Sequence, residues 1–168
     1  MNMAGRFESD YNLGIISERN SLNDLRKIFG TGLQQSDNKF ENFDFYNESS
    51  RIELKTRNDI IRRDGKFFNI KEGREPRELD SLMFDSVKML NAVKTNKARI
   101  SMNEIPLRHF ICWKCNNEYY YWEMTFDDRG CIRNSFDYYI EDQEFDRGRG
   151  FIQPTKVIKV YLNKLTFP

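Results

Sequence analysis

Asp44, Glu53 and Lys55 are the residues whose types and spacing could do chemistry: two carboxylates for a hard cation and an ammonium beside them. Suppose the chain turns at Glu48-Ser49, so that Phe45 faces Ile52 and Phe43 faces Leu54. These four then form one apolar side of a hairpin. On the other side Tyr46 meets Arg51, Asp44 meets Glu53, and Asn42 meets Lys55. Carboxylates directly opposite one another, with Cβ atoms about 5 Å apart, repel and destabilise a sheet. Sliding the register by one residue would bury the charged side instead. A divalent cation offsets the repulsion, because Mg²⁺ (or Mn²⁺) takes one or two carboxylates plus water and phosphate oxygens. Lys55 would then hold a metal-bound water or stabilise charge developing on a phosphate. Arg57 continues the same side and suits a nucleic-acid backbone. The plainer reading is a solvated cross-strand ion network of Asp44, Glu53 and Lys55.

Other residues invite chemistry less strongly. His109, Cys112 and Cys115, with Cys131 further on, have the types for a Zn²⁺ site. On one strand, however, positions three apart point to opposite faces, so packing of the thiols is expected, with His109 buried against aromatics. Tyr119-Tyr120-Tyr121-Trp122 has rings that stack on bases, but reads first as a strand with one face in the core, Tyr120 opposite Trp113. The charged segment from Asn58 to Arg77 carries Arg62, Arg63, Lys66, Lys71, Arg74 and Arg77, which suit a phosphate-gripping loop. Its interspersed Glu72, Glu75 and Glu78 weaken that field. Arg147-Gly-Arg149-Gly150 reads as a flexible turn.

The elements that must position these residues follow from periodicity. Glu18, Leu22, Leu25 and Phe29 recur at helical spacing, predicting a helix over about Ser17 to Phe29, capped by Ser17 or Ser21 and ended by Gly30 and Gly32. The hairpin over Phe40 to Arg57 comes next. Leu79, Leu82, Met83, Val87, Leu90 and Val93 predict a second helix over about Glu78 to Lys94. Ala98 to Met102 is a short strand candidate. Leu107 to Cys115 and Glu118 to Thr125 form a second hairpin about Asn116-Asn117, because Asn tolerates positive φ. A loop rich in acid and Arg-Gly, Glu141 to Gly150, precedes a last strand, Lys156 to Leu162. A strand, a crossover helix and another strand mark a mixed α/β sheet flanked by helices.

From Glu18 to about Met102 this arrangement resembles the PD-(D/E)xK nuclease superfamily: a helix, a hairpin with Asp and then Glu-x-Lys, a crossover helix and a strand. The stretch Arg51-Ile-Glu-Leu-Lys-Thr-Arg57 is similar to members encoded by large DNA viruses. The resemblance implies a restriction-endonuclease-like core with additional C-terminal strands. It implies Asp44 and Glu53 as metal ligands, Lys55 as the residue assisting the attacking water, and Glu18 on the first helix as a further metal ligand. The implied activity is Mg²⁺- or Mn²⁺-dependent cleavage of a nucleic acid, DNA rather than RNA, with Arg57, Arg62 and Arg63 as contacts and a homodimer as a family prior. No Pro precedes Asp44, and the second helix lacks the glutamine some members carry there. The alternatives are a non-catalytic nucleic-acid-binding or structural protein retaining the fold, or an interaction domain using the aromatic sheet.

Length and composition set the frame. A chain of 168 residues suits one core and a single domain. Its 27 basic and 26 acidic residues cancel, so positive charge for a polyanion must be local. Three cysteines and no apolar run near the roughly 20 residues of a membrane span predict a soluble intracellular protein with reduced thiols, in the cytoplasm or nucleus of a host cell. The 14 Phe and 8 Tyr predict a sheet with a large aromatic face.

Overall fold

The computed structural model describes residues 3–37, 42–146 and 152–168, and the side chains of 16–37, 42–144 and 155–168. The strand start at Phe40 and the Arg147 to Gly150 turn lie outside the described residues. In chain order the elements are α1 (Met3–Phe29), β1 (Gln34–Gln35), β2 (Phe45–Tyr46), β3 (Ser50–Thr56), β4 (Ile60–Arg63), β5 (Lys66–Asn69), β6 (Arg77–Leu79), β7 (Ser81–Asp85), α2 (Ser86–Ser101), β8 (Arg108–Cys115), β9 (Glu118–Met124), β10 (Tyr138–Asp146) and β11 (Ile152–Tyr161). The fold class is mixed α/β. No described helix is long and apolar enough to cross a membrane.

The central sheet has the order β1-β2-β3-β8-β9. Its first three strands are antiparallel neighbours. The chain then crosses over through α2, so that β8 runs parallel to β3 with Glu53 beside Ile111 and Lys55 beside Trp113. β9 returns antiparallel through Asn116, at φ 56°, with Trp113 facing Tyr120 as expected from the sequence. Residues alternate across this sheet because successive strand side chains point to opposite faces. Phe45, Ile52, Leu54, Phe110 and Cys112 face one way and pack with Leu25 of α1 and Leu33. Ile111, Trp113, Cys115 and Trp122 face the other way, into a core shared with Leu82 and Phe84 of β7, Met89 and Ala92 of α2, and Ile158 and Val160 of β11. That second core is supported by a separate sheet, β10-β11-β7.

Several expectations need correction. α1 begins at Met3, so Ser17 and Ser21 lie inside the helix and cap nothing. Ser21 Oγ donates back to the Ser17 carbonyl at 3.0 Å, the bond a mid-helix serine makes. The C-terminal end stands as read: Gly30 takes φ 105° and its N–H donates to the Arg26 carbonyl. The second helix does not start at Glu78. Ser81–Asp85 is a strand of alternating burial, Asp85 accepts from the Val87 N–H as N-cap, and α2 runs from Ser86 to Ser101. Val87 and Leu90 are therefore exposed, and Ala98 to Met102 is the end of a helix and no strand. The charged segment 58–77 supplies β4, β5 and the start of β6 to a third sheet, β4-β5-β6, whose first hairpin turns at Asp64-Gly65 with φ 50° and 77°. Its buried Ile60 and Phe67 join the second core. The acidic stretch after Glu141 belongs to β10, paired along its length with β11.

A buried asparagine fixes where β8 begins. Asn96 of α2 is fully buried, and its amide donates to the Leu107 carbonyl while accepting from the Leu107 N–H, both at 2.9 Å. Two backbone groups that would otherwise be buried unpaired are satisfied by one side chain.

Candidate active site

The expected hairpin register is present at its core, with Phe45 opposite Ile52 and Tyr46 opposite Arg51. At Asp44 the ladder slips: its N–H donates to the Ile52 carbonyl at 3.1 Å, so two successive residues address one partner. The slip has two consequences. Phe43 leaves the expected face with Phe45, Ile52 and Leu54 and packs in the opposite core, its ring 5.0 Å from the His109 imidazole. Asp44 aims its carboxylate at the next strand, where Oδ2 accepts the Leu54 N–H at 2.7 Å.

Glu53 is 3% exposed and faces away from Ile52 and Leu54. Lys55 Nζ donates to its Oε1 at 2.6 Å. Lys88, from the first turn of α2, stands with Nζ 2.7 Å from Oε2, off the hydrogen-bonding direction, so that this buried oxygen accepts no hydrogen bond. Lys88 Nζ also donates to the Asn42 carbonyl at 2.8 Å, and Asn91 of α2 donates to the Asn42 side chain at 3.0 Å. The crossover helix is thus tied to the segment that delivers Asp44.

Glu18 of α1 accepts from the Gln35 amide at 3.2 Å, and Ser17 meets Thr56 at the end of β3. Burial, then the charge of Glu53, raises the Glu18 carboxyl above its ordinary value against the opposing Gln35 hydrogen bond. Asp44 is pushed further, up to about 7, by burial first and then by Glu53 and Glu18. Burial opposes the charge on Lys55, but Glu53 and Asp44 outweigh it and raise its pKa. Three acids and two ammonium groups therefore share one field at the junction of β2, β3, α1 and α2.

The structure brings together Asp44, Glu53, Lys55 and Glu18. Lys88, which the sequence reading missed, joins them. The signal was Asp85, an N-cap whose recognition would have put Lys88 one turn into the helix beside β3. The basic candidates lie elsewhere. Arg57 forms a bidentate pair with Asp59, both bonds at 2.9 Å, and Asn69 shares that carboxylate. Arg62 and Arg63 are exposed on β4, Arg62 over the Phe167 ring at 4.6 Å.

A hard divalent cation fits this donor set. Glu53 Oε2 is a buried oxygen with no hydrogen bond, and Asp44 is an acid whose charge its neighbours oppose; both gain from a cation between them. Among the described residues no group of three or more His, Cys, Asp and Glu is placed to hold a metal ion, so Asp44 and Glu53 would be the protein's ligands without a third. An open site with two carboxylates suits Mg²⁺, which retains water and takes substrate oxygens. His109 is buried with both ring nitrogens unpaired and its pKa lowered to about 4 by burial, packed between Phe43 and Phe126. Cys112 and Cys115 are buried in opposite cores, so these residues do not converge on zinc. Comparison with family models, curated proteins and solved structures finds no match to this chain.

Proposed function

We propose that the protein is a Mg²⁺- or Mn²⁺-dependent nuclease that hydrolyses phosphodiester bonds, with DNA as the substrate. The observation that carries the reading is the meeting of a half-buried Asp44, its carboxyl pushed up to about 7, with the buried Glu53 and its partner Lys55. The path of the chain supports it. A helix and three antiparallel strands, followed after the intervening strands β4 to β7 by a crossover helix and a parallel strand, follow the order of the nuclease core that Asp44, Glu53 and Lys55 resemble.

In this reading Asp44 and Glu53 would hold the cation, with Glu18 on α1 adding negative charge to the field around them. The bound cation supplies Lewis-acid charge and a water of lowered pKa. Lys55 orients the attacking water and stabilises negative charge on the phosphate. The water would give up a proton to solvent as its oxygen bonds to phosphorus, the phosphorus–oxygen ester bond would break, and the leaving oxygen would take a proton from solvent. The exposed cations of β4 hold the polyanion's backbone, without reading its sequence.

A second reading is a non-catalytic nucleic-acid-binding or structural protein. The closing of both Lys55 and Lys88 on Glu53 favours it, because an ion network of this kind is self-sufficient. Cleavage of plasmid and single-stranded DNA in Mg²⁺, Mn²⁺ or EDTA separates the two. The nuclease reading expects cleavage that EDTA abolishes. It expects Lys55→Ala to lower turnover by on the order of 10²- to 10³-fold with substrate binding nearly intact. Wild type inert in every metal, or equally active in EDTA, would falsify it.

A further inference from the structure

The nuclease reading leaves Lys88 without a task, yet its position asks for one. A lysine in the first turn of a helix faces the positive end of the macrodipole, a placement that costs free energy. Here the ammonium is spent on Glu53 Oε2, at 2.7 Å, and on the Asn42 carbonyl. Oε2 is the oxygen that Lys55 leaves free, and the one that accepts no hydrogen bond. Lys88 therefore stands where a divalent cation would bind Glu53.

We propose that Lys88 is the site's resident counter-ion: a divalent metal must displace its ammonium from Glu53 Oε2, and the displaced group then meets a substrate phosphate. The inference rests on the metal-nuclease reading and deepens it. Its consequence is coupling. Metal alone binds against a competing cation, whereas metal with a phosphodiester gives that cation a new partner. Each ligand then strengthens the other's binding by the same factor. Lys88 is a positioning residue in the metal-free state and a substrate contact in the loaded one. Its stem is long and flexible enough to make the exchange, and its side chain is 20% exposed, so solvent reaches the group.

The test uses Mn²⁺ binding measured by calorimetry on the full chain, alone and with a short oligodeoxynucleotide of non-hydrolysable backbone. Wild type, Lys88→Gln and Lys88→Arg are compared. With the competitor gone, Lys88→Gln should bind Mn²⁺ alone about fivefold more tightly, the factor an ion pair of about 1 kcal/mol represents. Lys88→Arg, which keeps the charge, should stay near wild type. The oligonucleotide should tighten Mn²⁺ binding in wild type and much less in Lys88→Gln.

Thermal melts in EDTA accompany the titrations. Lys88→Gln should melt below wild type in EDTA and gain more from Mn²⁺ than wild type does. A purely structural ion pair predicts the lower melt with no change in Mn²⁺ affinity. Unchanged or weaker affinity in a folded Lys88→Gln overturns the displacement, and equal enhancement by the oligonucleotide overturns the phosphate contact. If Lys88→Gln does not fold, Lys88→Arg decides: competition by a cation requires wild-type affinity there, and a gain of fivefold or more overturns it. Wild type that binds no Mn²⁺ and cleaves nothing overturns both this inference and the nuclease reading. Wild type that binds Mn²⁺ and cleaves while Lys88→Gln matches it overturns this inference alone.

Discussion

Two titratable residues, a half-buried Asp44 and a buried His109, give the protein opposite pH slopes. Asp44 has a carboxyl pushed up to about 7 in the fold against an ordinary 3.8, by burial, Glu53 and Glu18. The folded state binds the extra proton between those values, so this contribution to stability is present at acid pH and is lost as pH rises towards 7. His109 runs the other way. Its imidazole is lowered to about 4 from 6.5, so the unfolded state takes up the proton and stability falls as pH drops through that window. Asp44→Asn keeps an acceptor for the Leu54 N–H and removes the charge. Melts in EDTA should show it close to wild type near pH 4 and more stable than wild type at pH 8. A variant that gains nothing at pH 8 would show that Asp44 ionises freely. His109→Leu should instead flatten the loss of stability between pH 6.5 and 4, read in the same melts. Both residues were found in the sequence, His109 as a buried ring and Asp44 as half of a carboxylate pair. The aromatic surroundings of His109 were among the expectations, but the slip at Asp44 that moves Phe43 onto it was not legible, because it depends on backbone hydrogen bonds that no side-chain pattern encodes.

Elements were legible where one periodicity stood alone. The β8–β9 hairpin and the end of α1 emerged from alternation, an Asn-Asn turn and a glycine. Leu79, Leu82 and Met83 also fit a helix, and that spacing concealed the period-two reading in which Leu82 and Phe84 point to the core from β7. Aligning Val87 and Leu90 with the same stripe extended the error, since both are exposed. The Asp64-Gly65 pair was a hairpin signal overlooked among charges, although such a dipeptide readily supplies two positive φ values. Asn96 shows what no periodicity offers: a polar residue on the buried side of α2, placed by two bonds to Leu107. Asn96→Ala should cost about 3 kcal/mol in urea unfolding, because it leaves buried backbone groups unpaired. A loss below about 1 kcal/mol would mean that water takes the place of the amide.

On the scale of the whole molecule, the five-stranded sheet divides two cores, and the cysteines report on that division. Cys112 packs on the α1 side and Cys115 on the β7 side, with burial raising both thiols, Cys115 up to about 12. Only Cys131 is partly open. Elemental analysis should find no stoichiometric zinc, and a thiol reagent should modify Cys131 rapidly in the native protein and all three cysteines after unfolding. Zinc at one per chain, or fast labelling of Cys112, would contradict the packing. The parallel neighbour of β3 also sets a schedule for synthesis. Glu53 lies beside Ile111, yet everything from Thr56 to Arg108 emerges from the ribosome between them. Until β8 arrives, β3 has an unpaired edge flanked by Ile52 and Leu54, and pairing so distant in the chain is slow to form. A nascent chain halted before Leu107 would carry the carboxylates but no scaffold for them, and its exposed edge would seek other strands. The residues most open to chemistry are thus encoded early and assembled late, so prompt completion of the chain guards it against aggregation.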